Sequence, residues 1–171
     1  FLWGCGGKVS YTTVDGTMLG TTLHVVADVQ GTSPQELYAA VMALDREAKA
    51  SMSIFDPASL LSRLNRNQTD SVDRHIAFNL RLADSISSLS DGRYDVTVKP
   101  LVEAWGFAGK EAQENPNVDS ILDFVGREKV RIERGRLVKS DPRVQLDFNS
   151  VAKGYTVDLL AELVERFGAE N

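Results

Sequence analysis

Arg143-Val144-Gln145-Leu146-Asp147-Phe148-Asn149-Ser150-Val151-Ala152-Lys153-Gly154-Tyr155 is the stretch from which the rest of the chain is best read. Its first six residues alternate polar and apolar, the period of a half-buried strand. The period then changes: Ala152, Tyr155, Leu159, Leu160, Leu163, Val164 and Phe167 recur at helical spacing, and Gly168 supplies a stop. Asn149 or Ser150 is the expected N-cap, which leaves Lys153 in the first turn, where free N–H groups and the helix dipole disfavour a cation. A phosphate would reconcile these residues, taking the backbone N–H groups and the Lys153 ammonium together while Gly154 allows close approach. Asp147, at the strand end, is placed to accept from a ligand donor or bind a metal. The plain alternative is a Ser150-capped helix, a loop-bonded Asp147 and a solvated Lys153.

Outward from this junction, the residues before it alternate between short extended runs and helices. Ser10 to Val14 and Thr17 to Ala27 read as strands around Asp15-Gly16, with Gly20 as a bulge or close approach inside the second. His24 reads as a strand histidine at solvent or a core edge, and His24 and His75 are too far apart in sequence to support a histidine metal site. Ser33-Pro34-Gln35-Glu36 has the capping-box form, and Leu37, Ala40, Val41, Leu44 and Ala48 continue it as an amphipathic helix to about Ala50. Phe55, beside Asp56-Pro57, sits on a turn as a lid on the core or a platform for a flat ligand, the core being the default. A short helix over Ser59 to Asn65 and a long one from Asp73 to Ser90 follow, the latter stopped by Asp91-Gly92.

Arg93 to Val98 reads as a strand ended by Lys99-Pro100, and Leu101 to Trp105 as a helical turn broken at Gly106. Asn117 caps a short helix to Val125, and Lys129 to Glu133 pairs with Arg136 to Lys139 over Arg134-Gly135. This order predicts an α+β fold with a largely antiparallel sheet and packed helices, without repeats or an internal domain boundary.

At 171 residues, with 43% hydrophobic and 25% charged, the chain has the composition of one globular domain and not of a disordered tail. Nineteen basic against twenty-four acidic residues, net charge −5, with no basic run, exclude nucleic acid as the expected partner. No apolar stretch approaches the roughly 20 residues of a membrane helix. Leu2-Trp3-Gly4-Cys5 resembles the end of a bacterial lipoprotein signal, so residues 1–9 are expected to be a lipoprotein-type segment and 10–171 the domain; a lone cysteine in an N-terminal tail is the alternative.

Several blocks together resemble the ApbE family. They are Leu19-Gly20-Thr21-Thr22; Met52 to Pro57 with Ser62-Arg63-Leu64-Asn65; Gly92 to Val98 with Pro100-Leu101-Val102 and Trp105-Gly106-Phe107; and Asp147 to Asp158. They stand in family order and span nearly the whole chain. The resemblance implies a T-fold-like domain and an FAD:protein FMN transferase, a magnesium-dependent enzyme that passes FMN from FAD to a threonine or serine of a flavoprotein and releases AMP. Some members instead hydrolyse FAD.

Carried over by motif, Arg93, Tyr94 and Asp95 lie in an FAD-contacting segment, Asp147 and Lys153 contact the flavin nucleotide, and Ser150 matches a magnesium-ligand position. Phe55 replaces a usual tyrosine, keeping a stacking face without the hydroxyl. Leu19 stands where a methionine usually precedes Gly-Thr, with Met18 one residue earlier. Family members run to about twice this length, and their second half carries a His-Ile-Ile-Asp-Pro-like motif and an acidic stretch with the remaining magnesium ligands. The chain is therefore expected to be an amino-terminal half, inactive alone, with uncovered edges through which it self-associates. Lipid on Cys5 would anchor it to the inner membrane on the periplasmic side. Ser150-Val151-Ala152-Lys153 also fits the Ser-x-x-Lys form of penicillin-interacting serine enzymes, although no Lys-Thr-Gly or Ser-Asp-Asn accompanies it. A non-enzymatic scaffold is a third reading.

Overall fold

The computed structural model describes residues 11–29 and 31–169. Residues around Cys5, and Ser10 of the expected first strand, lie outside them. The elements in order are β1 (Thr12–Met18), β2 (Thr21–Ala27), α1 (Pro34–Met52), α2 (Leu60–Asn65), α3 (Arg74–Leu89), α4 (Lys99–Ala104), α5 (Val118–Leu122), a 3-10 turn (Arg127–Lys129), β3 (Val130–Glu133), β4 (Arg136–Lys139) and α6 (Ala152–Arg166). This is an α+β chain whose sheets are two antiparallel pairs, β1–β2 and β3–β4. It divides into two compact units, Phe1–Glu47 with Thr156–Asn171, and Ala48–Tyr155. The division falls inside α1 and α6, so no linker or change of composition marks it.

In the first unit the hairpin turns at Leu19-Gly20, not at Asp15-Gly16. Asp15 pairs with His24 and Gly16 with Leu23. The Asp-Gly signal lost to tertiary forces. Continuing β1 to Met18 buries Val14 and Met18 on one face, and the true turn takes φ of 49° at Leu19 and 75° at Gly20. Two positive φ values are what a tight two-residue hairpin needs, and a leucine there is strained. The buried Asp45 compensates by accepting the Leu19 N–H at 2.9 Å. Gly20 is thus a turn residue and not a bulge. Val14, Met18, Ala27, Val29, Leu37, Val41, Leu44 and Leu160 form the core of this unit. Helix α1 starts with the expected capping box: Glu36 accepts the Ser33 N–H at 2.9 Å, and Ser33 Oγ accepts the Glu36 N–H at 3.2 Å.

In the second unit the caps also follow the sequence, with Ser59, Asp73 and Asn117 accepting from Ser62, Ile76 and Ser120 N–H groups. The second hairpin turns at Arg134-Gly135 as expected, with φ of 51° and 75°. Arg93 to Val98 and Arg143 to Phe148 do not form the expected strands: they share one parallel bridge, Val98 with Gln145, and the bond from Asp147 N–H to the Val96 carbonyl at 2.8 Å. On its other side the 143–148 segment is paired by a side chain. Asn65, at the end of α2, donates from Nδ2 to the Leu146 carbonyl (2.8 Å) and accepts the Leu146 N–H on Oδ1 (2.7 Å). One amide thereby reproduces a rung of a ladder. Lys99 does not end a strand; it opens α4, with Pro100 in the first turn, where its missing N–H is harmless. Lys139 donates to the Leu64 carbonyl (2.8 Å) and Asn67 Oδ1 (2.9 Å) where α2 ends, and its burial lowers the ammonium pKa to about 8.

Candidate functional site

The opening stretch sits wholly in the second unit up to Tyr155, so its geometry is read within one compact body. Leu146 and Phe148 are fully buried on either side of Asp147. Asp147 accepts the Asn149 N–H on Oδ1 at 2.7 Å, an Asx turn that redirects the chain toward α6. Phe148 then offers its carbonyl to both Val151 and Ala152 N–H groups. Helix α6 begins at Ala152, two residues beyond Ser150, so Lys153 lies in its first turn as expected, exposed. Ser150 has another partner: its Oγ and the Tyr94 hydroxyl are 2.8 Å apart. Two blocks more than fifty residues apart in sequence thus meet at one hydrogen bond.

The electrostatics favour neutral groups here. Burial raises the Asp147 pKa, an effect reinforced by Glu103 and opposed by the Asn149 N–H and by Lys99. Burial also raises the Tyr94 pKa, with Asp147 and Asp95 pushing the same way and the Ser150 bond opposing. The result is a partly buried carboxylate that would gain from a cation or a hydrogen-bond donor. Asp95 is held differently: Oδ1 accepts both the N–H and the hydroxyl of Thr97, each at 2.7 Å, and the fully buried Thr97 Oγ1 accepts the Gly126 N–H at 2.7 Å. Gly126 takes a φ of 148°, a backbone conformation that side chains rarely adopt.

Gly154 behaves in the opposite way. It is helical and exposed, and nothing lies within 4 Å of where a Cβ would be. A helical glycine costs about 1 kcal/mol against alanine. Among the described residues no neighbouring backbone explains this one.

Phe55 is 66% exposed, which overturns the default that it lids the core. Its loop is pinned by Ser53 Oγ, which accepts the Phe55 and Asp56 N–H groups at 3.1 Å, so an aromatic face is presented on a rigid turn. Arg93 is exposed, its N–H bound to the Ser90 carbonyl. Met18 lies in the core of the first unit at 6% exposure, unavailable to a ligand, and Leu19 is the strained turn residue beside it. Asn65, Thr97, Gly126 and Lys99 support the site without having been singled out for it. Their signal was a polar or glycine residue at a position that is buried or sterically closed.

A magnesium ion would find Ser150 Oγ and the Asp147 carboxylate here, but among the described residues no three His, Cys, Asp or Glu side chains converge to hold a metal. A hard cation that prefers six oxygens is not accommodated by these residues alone. Among them, too, no helix is long and apolar enough to cross a membrane.

Comparison with known proteins gives a consistent answer. The model of the ApbE family matches residues 19–171. The FAD:protein FMN transferase of Haemophilus influenzae is 31% identical over 98% of this chain and 53% of its own length, and that of Vibrio cholerae is 28% identical over 99% and 54%. Among solved structures, the flavin transferase ApbE of Vibrio cholerae superposes with TM-score 0.87 at 27% identity, covering 95% of this chain and 55% of that one. The apo flavinyl transferase ApbE of Pseudomonas stutzeri gives 0.86 at 25% identity, covering 94% and 56%. The chain spans about half the length of the relatives it matches.

Proposed function

Because the chain belongs to the ApbE family, we propose that it is part of an FAD:protein FMN transferase and that the junction around Asp147 binds the flavin nucleotide. The observation that carries this reading is the 2.8 Å contact between Tyr94 and Ser150, which joins two family blocks beside Asp147 and the first turn of α6. The Lys153 ammonium takes a phosphate at the start of that helix, and Gly154 leaves it room. Asp147 accepts from the nucleotide, and Phe55 offers a stacking face. FMN goes to a threonine or serine of a flavoprotein acceptor, AMP being released. Magnesium, when bound, would supply charge neutralisation at the phosphates; Ser150 would offer one oxygen, and the other ligands would have to come from outside the residues described. The chain alone is therefore expected to bind FAD without turning it over. Lipid on Cys5 and a periplasmic location belong to the same reading, and mass spectrometry of the N-terminal peptide from membranes tests them. The penicillin-type and scaffold readings are not favoured, since every relative reported is a flavin transferase.

The deciding experiment is titration of FAD against the chain and its Lys153→Ala variant. Loss of a charge-assisted hydrogen bond should weaken binding by about 1.5 to 3 kcal/mol. Lys153→Arg restores it only in part, because a planar fork does not reproduce a compact ammonium. Equal affinity in all three proteins returns the junction to a plain capped helix. Self-association is also expected: the groove between β2 and α6 has apolar walls, with Val26 50% and Val157 61% exposed, and among the described residues β2 pairs with β1 alone. Sedimentation at several concentrations, with a clean monomer throughout, would remove that part of the reading.

A further inference from the structure

We propose that Thr97 is a positioning residue for Asp95: its buried hydroxyl holds one carboxylate oxygen and so leaves the other, Oδ2, facing the donor groups of the nucleotide. This deepens the flavin-nucleotide reading of the site and rests on it.

Asp95 is bracketed by two residues tied to the junction. Before it, the Tyr94 hydroxyl meets Ser150 Oγ at 2.8 Å; after it, the Val96 carbonyl accepts the Asp147 N–H at 2.8 Å. All of them belong to the second unit. The main chain at Asp95 is thereby held at the site, and what remains to be set is the direction of its half-buried side chain.

The partners of Thr97 decide that direction. The Gly126 amide can only donate, so Thr97 Oγ1 accepts from it at 2.7 Å, and the single hydroxyl proton is left for Asp95 Oδ1, also at 2.7 Å. The Thr97 N–H reaches the same oxygen at 2.7 Å. That N–H alone would leave the carboxylate able to turn, since the terminal torsion of aspartate is broad. The hydroxyl approaches from a second direction and is itself immobile: Thr97 is fully buried, its β-branched side chain is stiff, and it is anchored on the Gly126 main chain. Oδ1 is thus taken twice, and among the described residues no group occupies Oδ2. Carboxylate and phosphate oxygens both accept, so Asp95 is matched to a hydroxyl or ring N–H of the nucleotide, and the phosphates are left to Lys153. A supporting residue that orients a ligand-facing carboxylate in this way governs affinity without touching the ligand.

The test joins FAD titration to NMR of the unliganded chain at one pH, which reads the Asp95 rotamer from three-bond couplings and its carboxyl carbon directly. Thr97→Val keeps the shape and removes the hydroxyl. It should spread Asp95 over several rotamers, shift its carboxyl resonance and weaken FAD binding about ten-fold, the scale of one hydrogen bond. Thr97→Ser should keep one rotamer and most of the affinity. Asp95→Ala should weaken binding at least as much as Thr97→Val, and the double variant should lose no more than Asp95→Ala alone, because Thr97 acts through Asp95. Asp73→Ala, which uncaps α3 in the same unit, should lower the melting temperature with the affinity unchanged and so controls for general loss of stability. Additive losses in the double variant, or an Asp95 rotamer and carboxyl resonance both unmoved in folded Thr97→Val, overturn the proposal. If the parent binds no FAD, the nucleotide reading fails, while release of Asp95 in Thr97→Val still marks Thr97 as the residue that positions it. If Thr97→Val does not fold, Asp95→Ala reads the same link from its other end: the freed hydroxyl should move the Gly126 amide resonance, and an unmoved one overturns the proposal equally.

Discussion

The hairpin unit and the unit that carries the candidate site bury different chemistry. In the first, Asp45 and Thr156 are the buried polar residues among those described, set in an interior of valine, leucine, methionine and alanine. In the second, Ser59, Ser62, Asn65, His75, Asn79, Thr97 and Lys99 are all buried with side-chain hydrogen bonds. Apolar burial is non-directional, so it specifies that a face is covered more than where each atom lies. Polar burial requires a partner at hydrogen-bond distance and therefore fixes positions. The contrast shows how a site built on irregular chain can be rigid: Asn65 replaces a neighbouring strand, Thr97 replaces a cap for Gly126, and Tyr155 is oriented by His75 Nδ1 at 2.9 Å and by stacking on Phe78 at 4.5 Å.

The largest effect expected is in the apolar unit. Leu37 is fully buried, and Leu37→Ala should cost about 2 to 5 kcal/mol by lost transfer energy and a residual cavity, with the FAD affinity of the folded fraction unchanged. Denaturant melts paired with FAD titration check both halves; a parallel loss of affinity would break the contrast between the units.

Asn65→Leu keeps apolar volume but strands the Leu146 N–H and carbonyl, each costing about 1 to 3 kcal/mol when buried without a partner. Here the loss of FAD affinity should exceed what stability explains, because the neighbouring Asp147 is released. Affinity that survives intact would show that the rung is structural only.

Asp147→Asn separates stability from binding. The folded-state pKa of Asp147 is raised, chiefly by burial. Such a group contributes its stability while protonated, below its unfolded pKa, and loses it as pH rises through the folded value. A neutral amide escapes that loss and still accepts the Asn149 N–H. The variant should therefore melt higher than the parent at neutral pH, with the difference shrinking on acidification, while FAD binding falls by about 1.5 to 3 kcal/mol. Melting curves that coincide at every pH would contradict the buried-carboxyl account.

The smallest effects sharpen the comparison most cleanly, since they involve one substitution at two open positions. Neither Gly20 nor Gly154 has a neighbour within 4 Å of a Cβ, yet Gly20 has φ 75° and Gly154 is helical. Gly20→Ala should destabilise by about 1 to 2 kcal/mol through left-handed strain. Gly154→Ala should stabilise by about 1 kcal/mol and weaken FAD binding. Two thermal melts and one titration suffice, and equal signs at the two positions would refute the conformational explanation.

Features governed by neighbouring residues were legible in the sequence. Ser33 with Glu36, Asp73, Asn117 and Arg134-Gly135 each act within a few residues, and each was found where its chemistry places it. The change of period near Asp147 marked the start of α6 for the same reason, although the strand expected before it does not form. The failures at Asp15-Gly16, Lys99 and Asn65 involve partners distant along the chain. Asp15-Gly16 is a better turn than Leu19-Gly20 by local preference, and it loses only because Asp45 and the burial of Met18 act from elsewhere. The run from Arg93 to Val98 alternates as a strand does, but the Asp95 side chain takes the Thr97 N–H and bends it. Phe55 was assigned by default to a core that its loop does not enter. Lys99 and Asn65 resemble surface residues until their partners, 46 and 81 positions away, are known.

Lys139 has a practical consequence. Its ammonium rests on the neutral oxygens of Leu64 and Asn67, with a pKa of about 8. Near that pH about half of these side chains are free amines, whereas a solvated lysine, with its pKa near 10.4, is still almost wholly protonated. A limiting dose of an acylating reagent should therefore label Lys139 ahead of the surface lysines. The resulting amide cannot carry the charge that closes α2, so the same label would report on the loosening of that helix end.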